Sequence, residues 1–156
     1  SDVYKRQNKD MSERFDPQIK QLIPHREPML LINELLEVGQ ESSESRVIID
    51  TDTPFADEQG VPAWIGLEYM GQTAALIAGY QQREGLCEPH LGFLMGSRRY
   101  QTSVARFTLG HTLRVRCEQA ALVGESLATF NCTITDETSG EQLANALLSV
   151  YRRPLD

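Results

Sequence analysis

Glu68 is the residue most able to do chemistry. It is the lone acid between Glu58 and Glu84, on a stretch that is otherwise apolar or neutral. Burying an unpaired carboxyl group costs several kcal/mol, so a lone one on an apolar helix marks a proton donor or acceptor whose pKa its surroundings raise. The structural alternative is a helix-edge Glu bonded to Gln72, one turn on, or to an arginine. Histidine is the natural partner for such a carboxyl because it titrates near neutrality. His25, His90 and His111 are the three in the chain. His25 sits between Pro24 and Arg26, where it fixes a loop or serves as a base. His90 follows Pro89 and reads as a loop residue. His111 follows Gly110 and reads as a solvated turn residue.

A helix must position Glu68, and 62–83 is the one convincing long helix. Pro62 marks its first turn and Gly85 its stop. Its apolar residues run nearly all round, as for a helix enclosed by other structure. Gly66, Gly71 and Gly79 are costly in a helix interior and predict close packing there. Ala63, Trp64 and Ile65 occupy the helix start, where backbone N–H groups are free to bind developing negative charge. Upstream, Asp16 and Pro17 cap a short helix that ends at Pro24, and 29–38 and 45–50 read as strands around a loop at 51–60. Downstream, 91–103, 112–123, 126–137 and 141–154 read as strands. In the second, Leu113, Val115 and Cys117 alternate with Arg114, Arg116 and Glu118. The order predicts an α+β domain, one antiparallel sheet wrapped around one long central helix.

Composition narrows the function. The 156 residues suit one domain, expected over 11–156, and carry a net charge of −7 with a pI near 5.0. That balance argues against a nucleic-acid partner. Cys87, Cys117 and Cys132 form no C-x-x-C pair and read as reduced thiols of a cytoplasmic protein. No apolar run is long enough to span a bilayer and no signal peptide is read, so no membrane partner is expected. The spacing of His and Cys offers no metal site. G-x-S-x-G and the nucleotide-binding glycine patterns are absent, so no metal or nucleotide cofactor is expected. The opening SDVYKRQ is what a transposon mosaic end used in sequencing libraries encodes, so 1–7 is expected to be non-native, 1–10 a tail, and Met11 the natural start.

Three stretches together resemble the FabZ-type 3-hydroxyacyl-[acyl-carrier-protein] dehydratases. LIPHREPMLLINELLEV (22–38) is similar to that family's L-P-H-R-Y-P-F-L-L-V-D opening. VPAWIGLEYMGQTAAL (61–76) resembles its helix start, with Pro62, Glu68 and Gln72 in register. GSRRYQTSVARFTLGHTL (96–113) resembles its later strand and turn, with Arg99, Tyr100 and Gly110 matching. Within that superfamily PHREPMLL, GVPAWIGLEYMGQ and GFLMGSRRY look closest to the ApeP-like dehydratases of aryl polyene biosynthesis.

The resemblance implies a hotdog fold, at least a dimer (with itself or with a second hotdog subunit), and dehydration of a 3-hydroxyacyl thioester. The substrate would ride on the phosphopantetheine arm of an acyl carrier protein, with no other cofactor. Non-catalytic partner subunit or acyl-thioester binding module, and hotdog thioesterase, stay open as alternatives. The family's catalytic histidine is missing: its loop reads TPFADEQGVPAW here, with Pro54 fourteen residues before Glu68. His25 is therefore the candidate base, although the family's own histidine at that place is not the catalytic one. His25 and Glu68 are expected to meet from opposite subunits, Glu68 protonated by its apolar setting. Ala63, Trp64, Ile65 and Gln72 are expected to bind substrate, and Arg98, Arg99 and Arg106 to contact the carrier protein or its phosphate.

Overall fold

The computed structural model describes residues 14–88, 90–97, 99–124 and 126–154. The expected tail, the start at Met11 and Arg98 lie outside them. Helix α1 spans Pro17–Leu22, and the Gln18 N–H donates to the Asp16 carboxylate at 2.9 Å, the cap the sequence predicts. Strands β1 (Glu34–Val38) and β2 (Ser42–Ile48) follow, then β3 (Gly60–Pro62). A 3₁₀ turn at Ala63–Ile65 leads into α2, Gly66–Arg83. The remaining strands are β4 (His90–Ser97), β5 (Gln101–Thr102), β6 (Arg106–Thr108), β7 (Thr112–Val123), β8 (Leu127–Asp136) and β9 (Gln142–Pro154).

The main sheet runs β1-β2-β7-β8-β9-β4, antiparallel throughout, with β5 also on β9 and β3 paired with β6 apart. Helix α2 touches every strand of that order, which is the hotdog plan. The alternation read in the sequence holds. Leu113, Val115, Cys117, Ala128, Phe130, Cys132, Ile134, Ala144, Ala146 and Leu148 all point inward into one apolar core with α2. Cys117 and Cys132 lie directly opposite in the ladder, both free, and burial pushes the Cys117 thiol up. The outward face is tiled with ion pairs such as Arg46 with Glu34 and Glu137, and Arg116 with Glu44.

Two glycines of α2 meet the close packing predicted for them. A methyl group on Gly79 would lie 1.9 Å from the Leu22 carbonyl oxygen, and one on Gly66 would lie 2.3 Å from the Tyr100 hydroxyl. Gly85, at φ +70°, ends the helix: its N–H donates to Gln82 O and that of Leu86 to Gln81 O.

Three expectations shift. The strand expected over 29–38 begins at Glu34. Ahead of it the Leu31 N–H donates to the Gln72 side chain and the Leu30 N–H to Arg26 O, so 24–33 is a strap laid over α2 rather than a strand. The strand expected over 91–103 divides into β4 and β5, and His90 opens β4 instead of sitting in a loop. The helix begins three residues after a β-strand, because Pro62 is spent in β3 and the first turn is 3₁₀.

Candidate active site

One groove runs along α2 between the helix and the inward faces of β7, β8 and β9. It encloses about 910 Å³, counting space open to solvent. His25 and Glu68 line it towards the start of α2; Gln81, Gln82, Gln119 and Arg152 line its other end. Between Glu68 and Gln82 the helix rises roughly 21 Å, past Gly71, Ala75 and Ala78 on one wall and Phe130 and Val150 on the other. Small residues on the helix leave the space, and apolar walls suit an extended apolar ligand.

His25 is half-buried where the chain leaves α1. Its Nδ1 is buried and has no hydrogen-bond partner among the described residues, and Arg26 Nη1 donates to its carbonyl oxygen at 2.7 Å. Burial lowers its pKa from the ordinary 6.5; the charge of Glu68 pulls the other way, and Arg26 adds to the lowering. The net result is an imidazole that is neutral at pH 7 and able to accept a proton.

Glu68 stands in the first turn of α2. It lines the same groove as His25. It is also exposed, not enclosed as expected. Tyr69 and Met70 turn their bulk to the sheet, so the apolar neighbours counted along the helix belong to another face. Large apolar side chains stand exposed instead. Trp64, one turn earlier, is 66% exposed; Phe55 is 57% exposed with its ring 6.3 Å from that of Trp64; and Met29 is 65% exposed.

The other expected site residues divide. The Ala63 N–H donates to Ala105 O at 2.9 Å, which takes it away from any ligand and leaves Trp64 and Ile65 as the helix-start donors to test. The Tyr100 hydroxyl donates to Ala63 O, and burial holds its pKa up at about 12, so it remains a phenol. Gln72 lines the groove, but its amide is committed to the strap at both ends, to Met29 O at 2.7 Å and from the Leu31 N–H at 2.8 Å. Arg106 is ion-paired with Asp57 at 2.6 Å, and Arg99 is exposed. Among the described residues no cluster of His, Cys, Asp and Glu could hold a metal ion, and no helix is long and apolar enough to cross a membrane.

The polar far end of the groove was missed. Its signal was present in the phase of β9, where Arg152 continues the inward series Ala144, Ala146, Leu148 and Val150. Arg152 is 9% exposed and donates to the Gln81 side chain at 3.3 Å.

His111 is not simply a solvated turn residue. Its Nδ1 lies 2.6 Å from the carboxylate of Asp136, which is almost fully buried. Burial pushes the Asp136 pKa up, but the His111 bond and the N–H groups of Thr138 and Ser139 outweigh it and hold the group below 3.8. The stability this gives is present above the unfolded value and is lost as pH falls through the lower folded one. His111→Ala is expected to cost about 1.5–3 kcal/mol at pH 7 by urea denaturation, with that difference fading in strong acid and turnover unchanged.

Comparison with known proteins bears on the family and the fold. The sequence matches the ApeP-like family, described as ApeP dehydratase, over residues 17–156. No curated protein matches. Among solved structures, the dehydratase heterocomplex ApeI:P from Xenorhabdus doucetiae matches at 25% identity with a TM-score of 0.77, covering 88% of this chain and 91% of that one. A hypothetical thioesterase with coenzyme A from Streptococcus pneumoniae TIGR4 matches at 10% identity and TM-score 0.61, over 78% of this chain and 85% of that one. The E. coli PaaI protein from the phenylacetic acid degradation operon matches at 11% and 0.61, over 76% and 82%. These last two share the fold. With a hotdog sheet around α2 and a family match running from the first helix to the last residue, the chain belongs to the ApeP-like dehydratase family.

Proposed function

We propose that the protein removes water from a 3-hydroxyacyl thioester carried on the phosphopantetheine arm of an acyl carrier protein, giving the trans-2-enoyl thioester. The setting would be aryl polyene or similar chain extension in the cytoplasm. The observation that carries this reading is the pairing, in a dehydratase-family chain, of a neutral, partly buried imidazole with a carboxyl group in one apolar-walled groove.

His25 takes the proton next to the thioester carbonyl. Glu68 gives a proton to the departing hydroxyl, which leaves as water. Trp64 and Ile65 offer N–H groups to the charge that builds on the carbonyl oxygen. The α C–H and β C–O bonds break as the double bond forms, with no net oxidation or reduction, so the reaction as written requires no further cofactor. The exposed Glu68 has to be shielded from bulk water for its proton to pass to the leaving hydroxyl alone. A second hotdog subunit covering Trp64, Phe55 and Met29 would do this. Likeness to the ApeI:P heterocomplex supports such a partner, and the exposed Arg99 offers a positive charge to the acidic carrier protein.

The absence of a histidine from the loop 51–60 favours a second reading, a non-catalytic partner subunit. Mass spectrometry of a 3-hydroxyacyl carrier protein incubated with the protein, alone and with a second hotdog subunit, separates the readings. Loss of water supports dehydration. An unchanged substrate in both mixtures supports the binding role. Loss of the acyl chain indicates a thioesterase.

A further inference from the structure

We propose that Gln72 is a positioning residue for His25: its amide sets where the strap 24–33 lies on α2, and it does not touch the substrate. This rests on the reading of His25 as the base.

Gln72 is 2% exposed. Its Oε1 accepts from the Leu31 N–H at 2.8 Å and its Nε2 donates to Met29 O at 2.7 Å. A donor and an acceptor two residues apart on one backbone segment are what a neighbouring strand would engage, and a primary amide supplies both in one plane. That replacement explains why 29–32 stays out of the sheet although Leu30, Leu31 and Ile32 are buried. The near half of the strap is tied to the end of α1 and to itself. Arg26 donates to Lys20 O, Ile23 O and His25 O, and its own carbonyl accepts from the Leu30 N–H. This compact unit is held to α2 at two places, the contact of Leu22 O with Gly79 and the clamp of Gln72. His25 lies between them in sequence. Glu68 is one turn before Gln72, so the helix that carries the carboxyl also holds the strap that carries the imidazole. The spacing of acid and base is thereby set inside one chain.

Gln72→Met keeps the side-chain volume and removes both bonds. In the resting protein, exchange of the Leu31 amide is expected to accelerate at least about tenfold, and the His25 imidazole resonance to shift. With a 3-hydroxyacyl carrier protein, kcat is expected to fall about 10–100-fold while KM stays within about twofold, a loss realised only in the transition state. In a His25→Ala background the same substitution is expected to cost nothing more. An unchanged Leu31 exchange rate, a rise in KM alone, or a loss that persists undiminished beside His25→Ala would overturn the proposal. If His25→Ala itself leaves turnover intact, the base assignment fails, while Leu31 exchange and the His25 resonance still decide whether Gln72 positions the strap. Should Q72M not fold, Q72E keeps the acceptor for Leu31, loses the donor to Met29, and is read in the same way by the His25 resonance and the double-variant comparison.

Discussion

Glu68→Gln is expected to lower turnover of a 3-hydroxyacyl carrier protein by about 10²–10⁴-fold while leaving the fold intact. Glutamine keeps the shape of the side chain and its capacity to hydrogen-bond, but it has no proton to give to a leaving hydroxyl. The substitution is gentle because Glu68 is exposed and packs no core, so urea unfolding of the variant should overlay the parent. KM is expected to change little, since the proton moves only in the transition state. Single-turnover mass spectrometry of the carrier-bound substrate reads the effect directly. A variant that keeps turnover within an order of magnitude of the parent would remove Glu68 as the acid.

For His25→Ala the expected loss is of the same size, again about 10²–10⁴-fold, and here pH adds a second signature. The imidazole must be neutral to take a proton, and burial lowers its pKa below 6.5 despite the opposing charge of Glu68. In the parent, kcat/KM should therefore be level across neutrality and fall as pH drops through that lowered value. In the variant the acidic limb attributable to His25 should vanish together with the rate. Exogenous imidazole gives a further check: the alanine leaves a gap beside a groove already open to small molecules, so partial rescue is expected. A variant with full activity and an unchanged acidic limb would show that the proton leaves by another route, and the non-catalytic reading would gain if the parent were inactive too.

The strands of the second half were legible residue by residue. Alternation in 112–118 and 127–136 forces one face inward, since successive side chains point to opposite sides, and Leu113, Val115, Cys117, Ala128, Phe130, Cys132 and Ile134 are the core they predicted. The same rule applied two residues further along β9 would have placed Arg152 in the groove. The short first helix was equally plain, because Asp16 followed by Pro17 is a local signal that needs no tertiary partner. Elsewhere the local signal was overridden. Leu30, Leu31 and Ile32 have the composition of a strand, yet their backbone bonds go partly to a side chain on α2, a choice invisible to any count of apolar residues. Ser43 and Ser45 face inward where apolar residues would be guessed, because Thr73 of α2 meets them, with Ser43 Oγ donating to Thr73 O at 2.6 Å.

For function, the residue types were determined by the sequence alone. One carboxyl on an apolar helix, one histidine at the end of a short helix and no histidine in the loop 51–60 named the two candidates, while the stretches 22–38, 61–76 and 96–113 carried the resemblance to the family. The tertiary structure decided how those residues stand to one another. It put His25 and Glu68 in one groove of one chain, left Glu68 open beside Trp64, and assigned Gln72 to the strap. The physical reason is that helical periodicity fixes which residues share a face of α2 but not which face the sheet covers. A side chain's environment is set by contacts far away in sequence: the Gln72 amide meets backbone 41 and 43 residues distant.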